Sequence, residues 1–178
     1  MFQLTSPVNA TDHTIGPAHA SATVVEYGDF ECPNCKQAAP AVKLLQSHFA
    51  GRIRFAFRHF PLEEVHPQAL LAAQAAECAG GQGHFWPMHD LLFEHQPHFK
   101  LSQLRALAER LDMDLPRFDF EMKDTVYLQR IREHMLSGHA SGVRSTPTFF
   151  VNGRIHDVSF GVQSLFDAVE LALRGSPN

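Results

Sequence analysis

The chain has 178 residues, 44% of them hydrophobic and 19% charged, with a formal net charge of −4. That is enough apolar material for one sizeable core or for a domain carrying an insertion, and it leaves no basic stripe for a nucleic-acid backbone. No apolar run approaches a membrane span, and Met1-Phe2-Gln3-Leu4-Thr5-Ser6 opens with neither a charged n-region nor a long apolar stretch. Direct membrane insertion is therefore excluded, and the chain reads as cytoplasmic, or as periplasmic or extracellular if a signal sequence was removed.

Residues 1–21 are rich in Thr, Ser, His, Pro and Gly, with Gly16-Pro17 as a turn signal, and read as a short edge strand or an irregular arm. Residues 22–28, Ala22-Thr23-Val24-Val25-Glu26-Tyr27-Gly28, form a strand, and residues 33–50 form a helix with Ala38, Ala41, Val42, Leu45 and Phe49 at helical spacing and a bend at Pro40. Between them lies Cys32-Pro33-Asn34-Cys35. Two cysteines at i and i+3 on the first helical turn can close a small disulfide ring or open it with little backbone movement. Pro33 fits the first helical position because its missing N–H is unpaired there in any residue, and the free N–H groups and positive dipole end then favour a thiolate on Cys32. Since the thiolate is the attacking species, Cys32 is the expected nucleophile, the more exposed and more acidic thiol, and Cys35 the resolving thiol. The competing reading is half of a zinc site. Zinc needs four ligands, however, the third cysteine, Cys78, has no C-x-x-C partner, and the 12 histidines are scattered from His13 to His156.

Arg52-Ile53-Arg54-Phe55-Ala56-Phe57-Arg58 alternates polar and apolar, a strand with Ile53, Phe55 and Phe57 inward. Strand, helix, strand is a β-α-β unit, which favours parallel pairing and places Cys32 at the carboxyl end of its strand, where open α/β sheets carry their chemistry. From Pro61 to Gly142 no strand pattern appears. Helices are expected from about Pro67 to Cys78, His84 to Glu94, Ser102 to Leu111 and Asp124 to Ser137, with Phe85, Trp86, Leu91, Leu92 and Phe93 in the core and Cys78 a buried inert thiol. Strands return at Thr148–Val151 and Arg154–Val158 about an Asn152-Gly153 hairpin signal, and a last helix beginning near Gly161 carries Leu165, Phe166, Val169 and Leu173 on one side and stops at Gly175.

Four stretches together, Val25-Glu26-Tyr27-Gly28-Asp29-Phe30-Glu31-Cys32-Pro33-Asn34-Cys35, Phe60-Pro61-Leu62, Gly83-His84-Phe85-Trp86 and Ser145-Thr146-Pro147-Thr148-Phe149-Phe150, resemble DsbA-like thioredoxin-fold oxidoreductases. The likeness runs from about residue 12 to 174. It is nearest to the signal-less stand-alone members, which are also similar to the thioredoxin-like tail of some sodium/proton antiporters. The resemblance implies an α/β thioredoxin fold, residues 1–61 and 143–178, interrupted by an all-helical insertion at 62–142. It implies a cis Thr146-Pro147 bond facing the C-x-x-C, with backbone free to pair with an extended substrate. It also matches Glu26 to the family's buried acid that relays protons to the resolving thiol. Pro33 and Asn34, the dipeptide between the cysteines, tune thiolate stability in this family. Asn34 stands where strongly oxidising members carry histidine, and Thr146 where they carry valine.

The function expected is thiol–disulfide exchange with protein or peptide substrates and a thiol electron donor, without cofactor or metal, in the reductase or isomerase direction. The alternatives are a non-enzymatic redox-sensing module that regulates a partner such as a membrane antiporter, and a zinc-binding protein.

Overall fold

The computed structural model describes residues 3–97, 99–158 and 161–175. The first two residues of the N-terminal arm and the last three of the chain lie outside the described residues. Five strands form one sheet in the order β1 (His13–Ile15), β3 (Ile53–His59), β2 (Ala22–Gly28), β4 (Thr148–Val151) and β5 (Arg154–His156). The central β2 pairs parallel with β3 and antiparallel with β4, while β1 and β5 pair antiparallel at the two edges. The architecture is the thioredoxin fold, with helices between and around the strands.

Helix α1 (Pro33–His48) joins β2 to β3 and runs through Pro40 as one assigned helix, burying Cys35, Ala38, Val42 and Leu45 against the sheet. Five helices separate β3 from β4: α2 (Ala69–Gly80), α3 (Phe85–His95), α4 (Leu101–Arg110), α5 (Leu115–Lys123) and α6 (Leu128–Ala140). The last of the four expected segments starts at Leu128 and not Asp124, because α5 and its turn occupy the residues before it. Helix α5 itself has no counterpart among the sequence expectations. It is short and starts on Asp114, whose carboxylate caps the Arg117 N–H, with Pro116 in its first turn. The last helix, α7 (Gln163–Arg174), ends at Gly175 and buries Leu165 and Val169.

Strand β3 differs from the expected one-sided pattern. Ile53, Phe55 and Phe57 are buried as the alternation requires, but Ala56 and Arg58 on the opposite face are buried too. Both faces of the sheet are covered. One face carries Val24, Phe55, Phe57 and Phe149 into a core shared with α1, α2, α3, α5 and α7. The other carries Val25, Tyr27, Ala56 and Phe150 against Phe60 and Val143, with Leu4 and Val8 of the N-terminal arm packed on it. Burying a charged Arg58 on that second face requires partners, and its Nε and Nη2 each donate a hydrogen bond of 2.8 Å to the Asp12 carboxylate.

Candidate functional site

Strand β2 ends at Gly28, where a side chain has no room: a Cβ there would lie 2.4 Å from the Phe57 ring and 3.3 Å from Glu26 Oε1. The chain then turns through Asp29-Phe30-Glu31 into Cys32, the N-cap of α1, with extended backbone (φ −71°, ψ 120°) and Pro33 at the first helical position. Neighbouring segments pin this turn. Asp29 accepts the Glu31 N–H at 2.7 Å and the Leu62 N–H at 2.9 Å, and Gln96 donates to the carbonyls of Phe30 and Cys32 at 2.6 and 2.9 Å.

The structure brings together Glu26, Cys32, Cys35, Thr146 and Pro147. Both site cysteines are free thiols and buried, Cys32 4% and Cys35 0% exposed, so only Cys32 retains accessible surface. The Thr146–Pro147 peptide is cis, and the Thr146 carbonyl lies 3.2 Å from Cys32 Sγ, where the thiol can donate to it. Asn34 and the Arg144–Thr148 loop line a groove of about 900 Å³ that continues past His156 to Val162.

The two thiols are driven apart in acidity. Cys32 is lowered to about 5, first by the hydrogen bond from the Cys35 thiol, then by Thr146 and the N–H groups of Cys35 and Asn34, all acting against burial. Cys35 is pushed well above its usual value by burial, by its bond to Cys32 and by the charge of Glu26. Glu26 is raised to about 8, chiefly by burial and then by the Cys32 charge. Its register explains the burial: on the same sheet face as Val24, it is flanked by Phe57 on β3 and Phe149 on β4. The Thr146 hydroxyl is buried with no hydrogen-bond partner among the described residues, which leaves its proton for the sulfur once that sulfur is ionised. Thr146→Val is therefore expected to raise the Cys32 pKa by about one unit, the scale of one hydrogen bond to a charged group, read from the pH dependence of Cys32 alkylation. An unchanged profile would remove the hydroxyl from the site.

Cys78 is buried on α2 and raised to about 12, mainly by burial. Among the described residues, the group of three side chains spaced to hold a metal is His59, Glu77 and His134, and it includes neither Cys32 nor Cys35. Arg130 already lies 3.0 Å from Glu77, so the carboxylate has its cation. Sequence reasoning missed Asp29 and Gln96. The acidic residues either side of Phe30 are a signal for the first, while the second reaches the site from more than 50 residues away.

The sequence profile of the Thioredoxin family matches residues 8–170. The chain belongs to the thioredoxin family. Similar solved structures share the fold: oxidised BdbD from Bacillus subtilis, with a TM-score of 0.82 at 24% identity, covering 92% of this chain and 94% of that one, and alpha-DsbA1 from Wolbachia pipientis, with 0.81 at 19%, covering 97% and 96%. In sequence, this thioredoxin-family chain is 51% identical over 165 residues to a Na(+)/H(+) antiporter NhaA 1 of Salinispora arenicola (strain CNS-205), covering 93% of this chain and 25% of the antiporter. It is 36% identical over 165 residues to a Na(+)/H(+) antiporter NhaA of Herminiimonas arsenicoxydans, covering 93% and 26%. The chain thus spans about a quarter of the length of these curated relatives. No helix among the described residues is long and apolar enough to cross a membrane.

Proposed function

We propose that the chain is a thiol–disulfide oxidoreductase acting on protein or peptide substrates through Cys32 and Cys35. The observation that carries this reading is the pairing of an acidic, slightly accessible Cys32 with a buried, protonated Cys35 one helical turn away. In the reduced protein the Cys32 thiolate attacks a substrate disulfide and the first substrate sulfur leaves as a thiolate. Cys35 then attacks Cys32 Sγ, releases the second substrate thiolate and closes the Cys32–Cys35 disulfide, and a thiol donor reopens it. Pro33 and Asn34 tune the thiolate, Glu26 receives the Cys35 proton, and the Thr146-Pro147 backbone, at the mouth of the groove, pairs with an extended substrate.

Direction follows from thiolate stability. A Cys32 value near 5 falls between thioredoxin, near 7, and DsbA, near 3.5. The expected potential therefore lies between about −270 mV and about −120 mV, and a cytosolic glutathione pool holds the pair mostly reduced, favouring reductase or isomerase flux. The decisive experiment is repeated reduction of insulin disulfides with a thiol donor, alongside a glutathione titration of the pair. Turnover supports the enzyme. A single stoichiometric oxidation without turnover supports the second reading, a redox-sensing module of an antiporter, which the antiporter names of the sequence relatives favour.

A further inference from the structure

A second cavity, of about 310 Å³, is lined by residues of α1 and α3. Glu26 borders it from β2 and His89 from α3, with Ile15, Val42, Trp86 and Phe93 supplying apolar wall. Several ordered waters fit such a volume, at about 30 Å³ each. His89 is 7% exposed, and aromatic rings hold it by their edges, Phe57 at 4.8 Å and Phe93 at 5.0 Å between centroids. Its Nδ1 lies 3.1 Å from Asp90 Oδ1, whose other oxygen is 2.6 Å from Lys43 Nζ. Its Nε2 is buried with no hydrogen-bond partner among the described residues.

A buried imidazole whose Nδ1–H is held by a carboxylate presents Nε2 as a proton acceptor. Leaving that acceptor unpaired in a fold costs stability, so a use for it is called for. We propose that His89, oriented by Asp90, exchanges protons with Glu26 through water in this cavity, making it the solvent exit for the proton that Cys35 releases. The inference rests on the thiol–disulfide exchange proposed above. When Cys35 resolves a mixed disulfide, its S–H bond breaks and the proton passes to the Glu26 carboxylate. The Cys35–Cys32 bond forms as the Cys32–substrate bond breaks, and the electron pair leaves on the substrate sulfur. Glu26 then gives its proton through water to His89 Nε2, and the Nδ1 proton moves to Asp90, which is 34% exposed and passes it to solvent. Reduction by the thiol donor runs the same path backwards.

The charged groups around the ring suit this task. Burial, with His59 on β3 and Lys43 on α1 acting the same way, disfavours the imidazolium and outweighs Asp90 on α3, which favours it, so the resting ring is neutral. Glu26, Lys36 and Glu94 complete the charged border of the cavity. A neutral ring beside a carboxyl raised to about 8 can take the proton and need not keep it.

The test is single-turnover reduction of a disulfide-bonded peptide by fully reduced protein, quenched in acid so that mixed-disulfide formation and resolution are timed separately. In His89→Gln, formation keeps its wild-type rate, while resolution slows about tenfold or more at pH 6 to 7, as loss of a proton carrier does. The deficit closes above pH 9, where hydroxide does the same work. In His89→Ala, added imidazole restores resolution, whereas pyrazole, the same size but a far weaker base, does not, which separates a proton carrier from a ring that only fills space. Glu26→Gln slow in resolution with His89→Gln at the wild-type rate would overturn the relay and leave the oxidoreductase intact. Rescue by both heterocycles overturns it too. If the wild-type protein never forms the mixed disulfide, the functional reading fails and the relay with it.

Discussion

Cys32→Ser is expected to abolish thiol–disulfide exchange, and Cys35→Ser to leave a protein that forms mixed disulfides and cannot resolve them. The asymmetry comes from the acidity gap. With Cys32 near 5, about a hundred thiolates exist for every thiol at pH 7, whereas Cys35, held above its usual value, is under about one per cent ionised. The ratio of attacking species between the two sulfurs therefore exceeds about a hundredfold. Intrinsic nucleophilicity falls as the pKa falls, by about the 0.4–0.5 power of the acidity gap, which offsets much of this excess, but Cys35 is 0% exposed and Cys32 4%, so Cys32 keeps its lead. Alkylation at pH 6 followed by mass mapping should modify Cys32 alone, because Cys78 is 1% exposed and raised to about 12. Incubation of Cys35→Ser with an oxidised peptide should give a stable adduct on a non-reducing gel that a reductant releases. Equal loss of activity in both variants with no adduct in Cys35→Ser would reverse the assignment of nucleophile and resolving thiol.

What could be read in the sequence is what depends on neighbours along the chain. The cap geometry at Cys32 needs only Pro33 and the helix that follows, and the edges of β2 and the Asn152-Gly153 hairpin are equally local. Strand β5 stops at His156, two residues short of expectation: its last pair is Phe149–His156, and one residue beyond Thr148 the β4 side reaches the cis Pro147, which has no N–H for a ladder. Glu26 is an intermediate case. Alternation along β2 puts it on the face of Val24, but that this face is the covered one at both neighbours follows only from Phe57 and Phe149 arriving from other strands. Gln96, His89 and the buried pair Asp12–Arg58 had no local signal at all, since each contact joins residues dozens of positions apart. The twelve histidines looked scattered for the same reason. Three of them, His13, His59 and His134, gather around one glutamate from β1, β3 and α6.

That glutamate, Glu77 on α2, is the site of the largest stability effect expected in the molecule. Its carboxylate is 2% exposed and takes His13 Nε2 at 3.0 and 3.1 Å, His59 Nε2 at 2.8 Å and Arg130 Nε at 3.0 Å. Burial pushes its pKa up, and the bonds from His13 and His59 more than offset this, holding it well below the usual carboxylate range. Glu77→Leu leaves the Arg130 charge and the His59 ring without their partner, and breaking a buried ionic group from one side costs about 3–5 kcal/mol. Against a total of about 5–15 kcal/mol for a native domain, that lowers Tm by about 10 °C or more. Arg105→Ala, which breaks an exposed pair with Asp119, should cost about 0–1 kcal/mol and serves as the control. The pH dependence has a definite sign. Burial lowers His59 and His89 and brings His134 down to about 3, so all three stay neutral in the fold while the unfolded chain protonates them below about 6.5. Each histidine then removes about 1.4 kcal/mol per pH unit as the pH falls from 6.5. Glu26, raised to about 8, loses stability as the pH rises towards that value, while Cys32, lowered to about 5, loses it as the pH falls, so the two cancel between about pH 5 and 8 in the reduced protein. Urea unfolding of the reduced protein should therefore weaken by about 3–4 kcal/mol per unit from pH 6.5 to 5, the three histidines acting alone. A midpoint that stays level over that interval would mean that His59, His89 and His134 carry their protons inside the fold, and that Glu77 is neutralised by imidazolium as well as by Arg130.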